Sequence, residues 1–341
     1  MHMADALLSP AVGGLMWAAS AVTLAYCSKR LQQDRDDRRV PLMGVLGAFL
    51  FTAQMINFGI PGTGSSGHLG GGLLLAILLG PYAAFLVMAS VLIVQALFFA
   101  DGGLLALGCN IFNLGFFPAF VGYPIYRFLS GDVPGTVRTA TAAAIAAVIS
   151  LSLGAFAVVL ETVASGISAL PFRTFVLFML PIHLAIGLVE GLVTAAVVGF
   201  VKVARPDVLA PPADKRPVVT LAAVFLCVAV ALGGVGAWFA SSQPDGLEWS
   251  IARVTGADEL DTATDGLQGA LARAQESVAI LPDYGFRHDA STGTEDGAPG
   301  SSSMSLERAG TSVSGLVGGA FALVLAMLTG LALKRREKHR E

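Results

Sequence analysis

Charged side chains are scarce in this sequence of 341 residues. They make up 13% of the chain, against roughly 25% in typical soluble domains, while hydrophobic residues make up 55%. Such a composition excludes a disordered chain and a basic nucleic-acid-binding protein, and no nucleic acid partner is expected. It predicts a protein that crosses a membrane several times.

Cysteine and the common catalytic motifs are also rare or missing. Three cysteines, Cys27, Cys109 and Cys227, lie far apart and form no CxxC pair, so neither a disulfide framework nor a thiolate metal site is indicated. The sequence contains no GxxxxGK[ST] and no HExxH. An ATP site of the P-loop type and a zinc protease of that type are therefore not expected.

Long uncharged stretches dominate what is present. A membrane helix needs about 20 mostly apolar residues, and the stretch 69–100 has no charge but is too long for one span. Because Gly80 and Pro81 interrupt it, we predict a short half-helix at 69–79 and a full span at 82–100. The other predicted spans are 6–28, 40–60, 108–127, 139–163, 175–203, 217–240 and 311–333. The predicted fold is an all-α polytopic membrane protein, with a bundle of about seven membrane segments and a two-helix C-terminal part with an outer polar domain.

Basic residues indicate how the segments are oriented. Most of the 21 Lys and Arg residues fall in segments that share one side if the N-terminus lies outside and the stretch 69–100 crosses twice. The predicted location is the cell (inner) membrane, with the C-terminus in the cytoplasm. The first residues lack a basic region, so no cleavable signal peptide is expected.

Composition divides the chain into two predicted parts. Residues 1–205 form a membrane bundle with short loops, and 206–216 form a Pro-rich inner linker. Residues 217–341, the accessory part, consist of a helix at 217–240, an extracytoplasmic segment at 241–310, a helix at 311–333 and a basic tail. The outer segment is polar, and most of its charged residues are acidic. We predict a flexible loop at 291–303.

Two histidines are candidates for a metal site on the outer side. The amine of Met1 and the amide and imidazole nitrogens of His2 can hold one cation in two adjoining, nearly planar chelate rings, a geometry that suits Ni(II) or Cu(II). His68, in the Gly-rich loop 60–72 that is predicted on the same side, can fill the fourth corner. The alternative, that His68 is a surface or packing residue, stays open at this point.

A second pair of ionisable residues lies within a predicted span. His183 and Glu190 are seven residues apart on one helix and so share a face. Ionisable groups within a span are costly and usually functional, which suggests proton relay or coupling; a hydrogen-bonded packing pair is an equal alternative. We expect His288 and His339 to be solvated.

Several motifs together resemble a known family, the substrate-binding (S) subunits of cobalt/nickel ECF transporters, known as the CbiM/NikM family. They are MHMADALLSP at the start, QMINFGIPGTGSSGHLGGGLLLAILLGP at 54–81, QALFFADGGLLALGCNIFNLG at 95–115 and HLAIGLVEGLVT at 183–194. PDGLEW at 244–249 and PDYGF at 282–286 are similar to the PDGLE-type accessory subunit of nickel members, here fused to the S subunit as in NikMN. Met3 and Ala6 depart from the family's usual Ile and Gly.

The resemblance implies a function and a ligand set. The chain is expected to take up Ni²⁺ with high affinity as a transport subunit, not an enzyme, with a separate transmembrane coupling (T) subunit and two ATPase subunits as partners. The implied metal ligands are Met1, His2 and His68. The residues suggested around them are Asn57, Ser65, Ser66, Asp101, Asn110 and Asn113. The alternatives are Co²⁺ uptake by the same mechanism, a proton-coupled secondary transporter that uses His183 and Glu190, and a metal sensor that moves no ion.

Overall fold

The computed structural model describes residues 2–33, 36, 38–131, 135–209, 218–257, 260, 265–287 and 301–338. Over these residues the chain is a helical membrane bundle, which confirms the predicted fold class. Five of its helices are long and apolar enough to cross a bilayer: Pro10–Gln32, Pro81–Phe99, Thr136–Ser165, Phe172–Ala204 and Leu306–Lys334.

The first half of the bundle carries the irregular segments that later form the site. Its elements are α1 (Pro10–Gln32), α2 (Arg39–Gln54), the strands β1 (Phe58–Ile60) and β2 (Ser65–Gly67), α3 (Gly72–Leu79) and α4 (Pro81–Phe99). The predicted half-helix is confirmed as α3. It ends at Leu79, and Gly80, with a φ of 81°, and the following Pro81 separate it from α4.

The described residues of the second half of the bundle are mostly helical. Its elements are α5 (Leu107–Ile111), a π-helical stretch (Phe112–Gly122), α6 (Tyr123–Ser130), α7 (Thr136–Ser165), α8 (Phe172–Ala204) and α9 (Pro206–Leu209). The most extensive helix pair is α7 with α8. Gly187 and Gly191 of α8 lie against the backbone of Val148 and Ala144 of α7, since small residues let two membrane helices approach closely.

The accessory part contains more helix than the sequence indicated. Its elements are α10 (Val219–Gly234), α11 (Gly246–Thr255), α12 (Gly266–Val278) and α13 (Ser301–Lys338). Two helices within 241–310 were not predicted: α11, which starts at a capping box formed by Asp245 and Glu248, and α12. Of the predicted flexible loop, 291–300 lies outside the described residues and 301–303 belongs to α13.

Several predicted spans differ in their bounds from the helices, and two of these differences have a clear local cause. The first span begins at Pro10, since Ser9 caps the helix and residues Asp5–Leu7 form a separate short turn. The second span ends at Gln54, and the chain then enters the β1–β2 hairpin instead of continuing to residue 60. Of the predicted linker, 206–209 is helical and 210–216 lies outside the described residues.

The accessory helices pack directly on the bundle. Both α10 and α13 contact α2, and Gly318 of α13 lies directly on the ring of Phe51. One hydrophobic cluster includes Met3 and Phe51 of the bundle together with Leu247 and Ala322 of the accessory part. The two parts therefore share a core.

Candidate metal site

The segment ahead of α1 folds back into the bundle. Met3 is fully buried, its N–H donates to Asn110 Oδ1 over 2.8 Å, and its carbonyl accepts from the Gly103 N–H over 2.9 Å. Asp5 Oδ1 accepts from the Ala106 N–H over 2.9 Å. These bonds hold the chain beside the loop between α4 and α5 and fix where His2 lies. Met1 lies outside the described residues.

Two residues that flank His68 fix the loop that carries it. The Gly70 N–H donates to Glu190 Oε2 over 2.8 Å, and Gln54 Nε2 donates to the Gly70 carbonyl over 3.0 Å. On the other side of His68, Gly67 lies against Ile186 of α8 so closely that a Cβ would overlap it. Buried side chains of α2 and α8 thus position a loop that has little side-chain packing of its own.

The structure brings the rings of His2 and His68 together across 66 positions of sequence. Their centroids are 5.2 Å apart and their planes differ by 18°. With metal–nitrogen bonds of about 2 Å, two imidazoles on adjacent corners of one ion would have centroids about 4–5 Å apart. The separation is close to that value, but the rings are stacked and the lone pairs of an imidazole lie in the plane of its ring. One ring would therefore have to rotate for both to bind the same ion.

The nitrogen atoms of the two rings are available for a metal. His68 Nδ1 is 3.1 Å from the Leu69 carbonyl, and if Nδ1 carries the proton and donates it there, Nε2 is the nitrogen with a free lone pair. His2 Nε2 is buried and has no partner among the described residues. A chelate that also includes the His2 amide, however, can close only through Nδ1, which lies 3.3 Å from Asp101 Oδ1. Burial lowers the pKa of His2, and it lowers that of His68 to about 3, so both rings are neutral at physiological pH. Metal binding requires that neutral form.

Asp101 lies beside the two histidines, as the sequence suggested. Its Oδ1 is 3.3 Å from His2 Nδ1, and its Oδ2 accepts a hydrogen bond of 2.5 Å from the hydroxyl of Tyr284. Asn110, the other suggested neighbour that reaches the site, binds the backbone of Met3 in both directions.

The remaining suggested neighbours have partners elsewhere. Ser65 is bonded to a threonine hydroxyl in the hairpin turn, Asn113 donates to Glu161, and Asn57 is bonded through its backbone carbonyl to the accessory part. Ser66 is bonded to the accessory part through both its N–H and its hydroxyl.

His183 and Glu190 are both buried on α8, but they have different partners. His183 Nδ1 is 2.8 Å from the Met179 carbonyl of its own helix, while Glu190 accepts from the loop of His68. A cavity of about 10 Å³, room for about one water, is lined by His68, His183 and Asp245. His183 Nε2 is buried without a partner among the described residues.

The accessory part covers the loop of His68, which the sequence did not reveal. The Ser66 N–H donates to the Pro244 carbonyl over 2.7 Å and its hydroxyl to the Gln243 carbonyl over 2.7 Å. Trp249 Nε1 donates to the Thr63 carbonyl over 3.0 Å. The PDGLE stretch is therefore docked on the β1–β2 hairpin.

Helix α12 covers the segment of His2 in the same way. Gln268 donates to the carbonyls of Asp5 and Leu8, over 3.0 and 2.6 Å, and Gln275 donates to the Gly102 carbonyl over 2.6 Å. No pattern in the sequence could have identified these two glutamines, because they bind backbone carbonyls that any residue could supply.

Comparison with known families agrees with this two-part architecture. Residues 2–208 match the CbiM family, described as a cobalt uptake substrate-specific transmembrane region, and residues 219–335 match the PDGLE domain. The chain belongs to the CbiM family. It is a CbiM region fused to a PDGLE accessory region, and it is a multi-pass membrane protein of a metal-transport family and not an enzyme.

Relatives of this CbiM-family chain include both fused and single proteins. The fused nickel transport protein NikMN of Rhodobacter capsulatus is 31% identical over 83% of this chain and 88% of the relative. The putative fused nickel transport protein NikMN of Archaeoglobus fulgidus is 41% identical over 61% of this chain and 68% of the relative. The cobalt transport protein CbiM of Sorangium cellulosum is 31% identical over 65% of this chain and 98% of the relative.

A solved structure described as a truncated transition metal transporter is similar to the bundle. It covers 60% of this chain and 99% of its own, with 33% identity and a TM-score of 0.53.

Proposed function

We propose that this chain captures Ni²⁺ at the outer face of the cell membrane, as the substrate-binding subunit of an ECF-type importer. The N-terminus would lie outside and the C-terminus in the cytoplasm. Two relatives that are described as fused proteins are named as nickel transport proteins, and this chain is itself a fusion, which favours nickel over cobalt. Cobalt uptake by the same mechanism is the alternative.

The observation that carries this proposal is the meeting of His2 and His68. Two neutral, largely buried imidazoles from distant positions lie 5.2 Å apart, with a carboxylate beside them. We propose that the amine of Met1 and the amide nitrogen of His2 complete the ligand set. Four nitrogen donors in one plane suit Ni(II), which also favours nickel.

Delivery of the ion needs partners. We propose a separate T subunit and two ATPase subunits, since the sequence has no P-loop of its own. Glu190 is suited to a role in coupling, because it accepts a hydrogen bond from Gly70, two residues after His68. A displacement of α8 would then move the loop that holds the ion.

The ligand proposal can be tested on the full chain purified into lipid nanodiscs. We would titrate Ni²⁺ against a competing chelator and record the absorption spectrum of the loaded protein. Extension of the chain ahead of Met1, or His68→Ala, should weaken Ni²⁺ binding by more than the roughly 10- to 100-fold that is typical of losing an outer partner. The square-planar band should disappear in the extended chain.

His288→Ala serves as the control, since we assign that histidine no role. Wild-type affinity in the extended chain would overturn the chelate. Competition with Co²⁺ in the same assay would decide the metal, and uptake that continues without any ATPase but stops with a protonophore would favour the proton-coupled alternative.

A further inference from the structure

The accessory part also reaches the candidate metal site through a side chain. Tyr284 belongs to the PDYGF stretch, and its hydroxyl donates to Asp101 Oδ2 over 2.5 Å. The other oxygen of the same carboxylate, Oδ1, is 3.3 Å from His2 Nδ1. Tyrosine, carboxylate and histidine therefore form one connected line that runs from the accessory part into the bundle.

The ring of Tyr284 is held firmly in place. It stacks on Phe99 with centroids 5.1 Å apart and planes 16° apart, and it meets the edge of Phe51 at 6.2 Å. Burial and the neighbouring charge of Asp101 raise the pKa of Tyr284 well above its usual value, so its hydroxyl keeps the proton that it donates.

The backbone on both sides of this contact is unusual. Ala100, directly before Asp101, has a φ of 56°, and Asp283 and Tyr284 have φ values of 51° and 58°. Among described residues other than glycine, these three are the only ones with positive φ. Such conformations disfavour residues with a Cβ and tend to occur where a functional geometry is maintained.

We propose that Tyr284 is a positioning residue of the metal site, whose hydroxyl holds the Asp101 carboxylate against the His2 ring. This inference rests on the proposed function, because it takes His2 as a ligand of the ion. In the proposed chelate the His2 ring binds through Nδ1, so a carboxylate 3.3 Å from that atom lies next to the ion and supplies negative charge to a divalent cation in a largely buried site. The accessory part thereby contributes to affinity without providing a ligand.

The test is a double-mutant cycle on the full chain in nanodiscs, with Ni²⁺ itself as the probe. Tyr284→Phe keeps the ring on Phe99 and removes only the hydroxyl, and we expect it to weaken Ni²⁺ binding by about 10-fold, as losing an outer partner of a ligand does. Asp101→Asn should weaken binding by at least as much. The double variant should be no weaker than Asp101→Asn alone, because Tyr284 acts through that carboxylate.

Two further measurements make the result specific. The absorption spectrum of the loaded Tyr284→Phe protein should shift, since the carboxylate next to the ion is less firmly held, which a purely structural loss would not cause. The matched control is Tyr126→Phe, a buried tyrosine in a separate cluster beside α7, which should bind Ni²⁺ like the wild type.

The outcomes separate this inference from the proposed function. Unchanged or tighter binding by Tyr284→Phe or by Asp101→Asn overturns the inference, and so do effects that multiply in the double variant. If the inference about Tyr284 fails in this way but His2→Ala abolishes Ni²⁺ binding in the same series, the proposed function still holds. If His2→Ala binds like the wild type, the proposed function itself is wrong.

Discussion

The bundle and the accessory part hold the same two segments in different ways. In the bundle, buried side chains on membrane-bundle helices bind the backbone near the histidines, as Asn110 does for Met3 and Glu190 for Gly70. In the accessory part, a short helix does so, and Gln268 of α12 is an example. Helix α4 is mostly buried, whereas α12 exposes much of its surface.

This difference suggests a division of labour. The side chains proposed as ligands belong to the bundle, so the bundle should set whether an ion binds. The hydrogen bonds that Gln268 of the accessory part donates are only partly buried, so water can compete for them and each should contribute less. They should mainly influence how long the ion stays. The following predictions test that comparison, starting with the largest expected effect.

The contact between α13 of the accessory part and α2 of the bundle provides the first test of the comparison. Gly318→Leu should lower the free energy of unfolding by about 3 kcal/mol, because the new side chain would overlap the Phe51 ring and force α13 away from α2. Denaturant unfolding of the full chain in mixed micelles, followed by tryptophan fluorescence, measures this.

The matched control for that variant is Gly234→Leu. Gly234 lies at the end of α10 and has open space where a Cβ would be. Equal stability of the two variants would show that the accessory part does not depend on this contact.

Asn110→Ala tests the hydrogen bonds by which the bundle holds the segment that carries His2. It leaves the buried N–H of Met3 without its acceptor and frees the backbone next to His2, so Ni²⁺ affinity should fall by about 10-fold. Titration with a competing chelator measures the change.

Asn57→Ala is the control for this loss, because Asn57 uses its backbone carbonyl to bind Ser241. If both asparagine variants bound Ni²⁺ equally well, the segment ahead of α1 would not need its anchor in the bundle.

Gln268→Ala tests the corresponding hydrogen bonds of the accessory part and should have the smallest effect on Ni²⁺ binding. Loss of its two hydrogen bonds to the carbonyls of Asp5 and Leu8 should speed Ni²⁺ dissociation by about threefold, the size expected for a partly exposed hydrogen bond. Stopped-flow exchange into a chelator measures the rate.

Ser277→Ala, on the same helix, provides the comparison, since its hydroxyl binds only the carbonyl of Ala274 among the described contacts. If Gln268→Ala raised the Ni²⁺ dissociation rate by a larger factor than Asn110→Ala does, the division of labour proposed for the two parts would be reversed.

Much of the membrane architecture could be predicted from local sequence. Apolar stretches and the break at Gly80 and Pro81 determine where helices form, because burying a polar backbone in lipid leaves few alternatives. The β1–β2 hairpin was missed because Phe58 and Ile60 are as apolar as the helix before them. Helix α11 was missed although Asp245 and Glu248 have the spacing of a capping box.

The sequence by itself determined that this chain crosses a membrane and which histidines deserved study, since hydropathy and residue type are local properties. Only the tertiary structure decided that His2 and His68 face each other and that Tyr284 reaches Asp101 from the accessory part. Such contacts join distant positions through packing between helices and backbone hydrogen bonds. Neither leaves a pattern along the chain, because a backbone carbonyl looks the same at every residue.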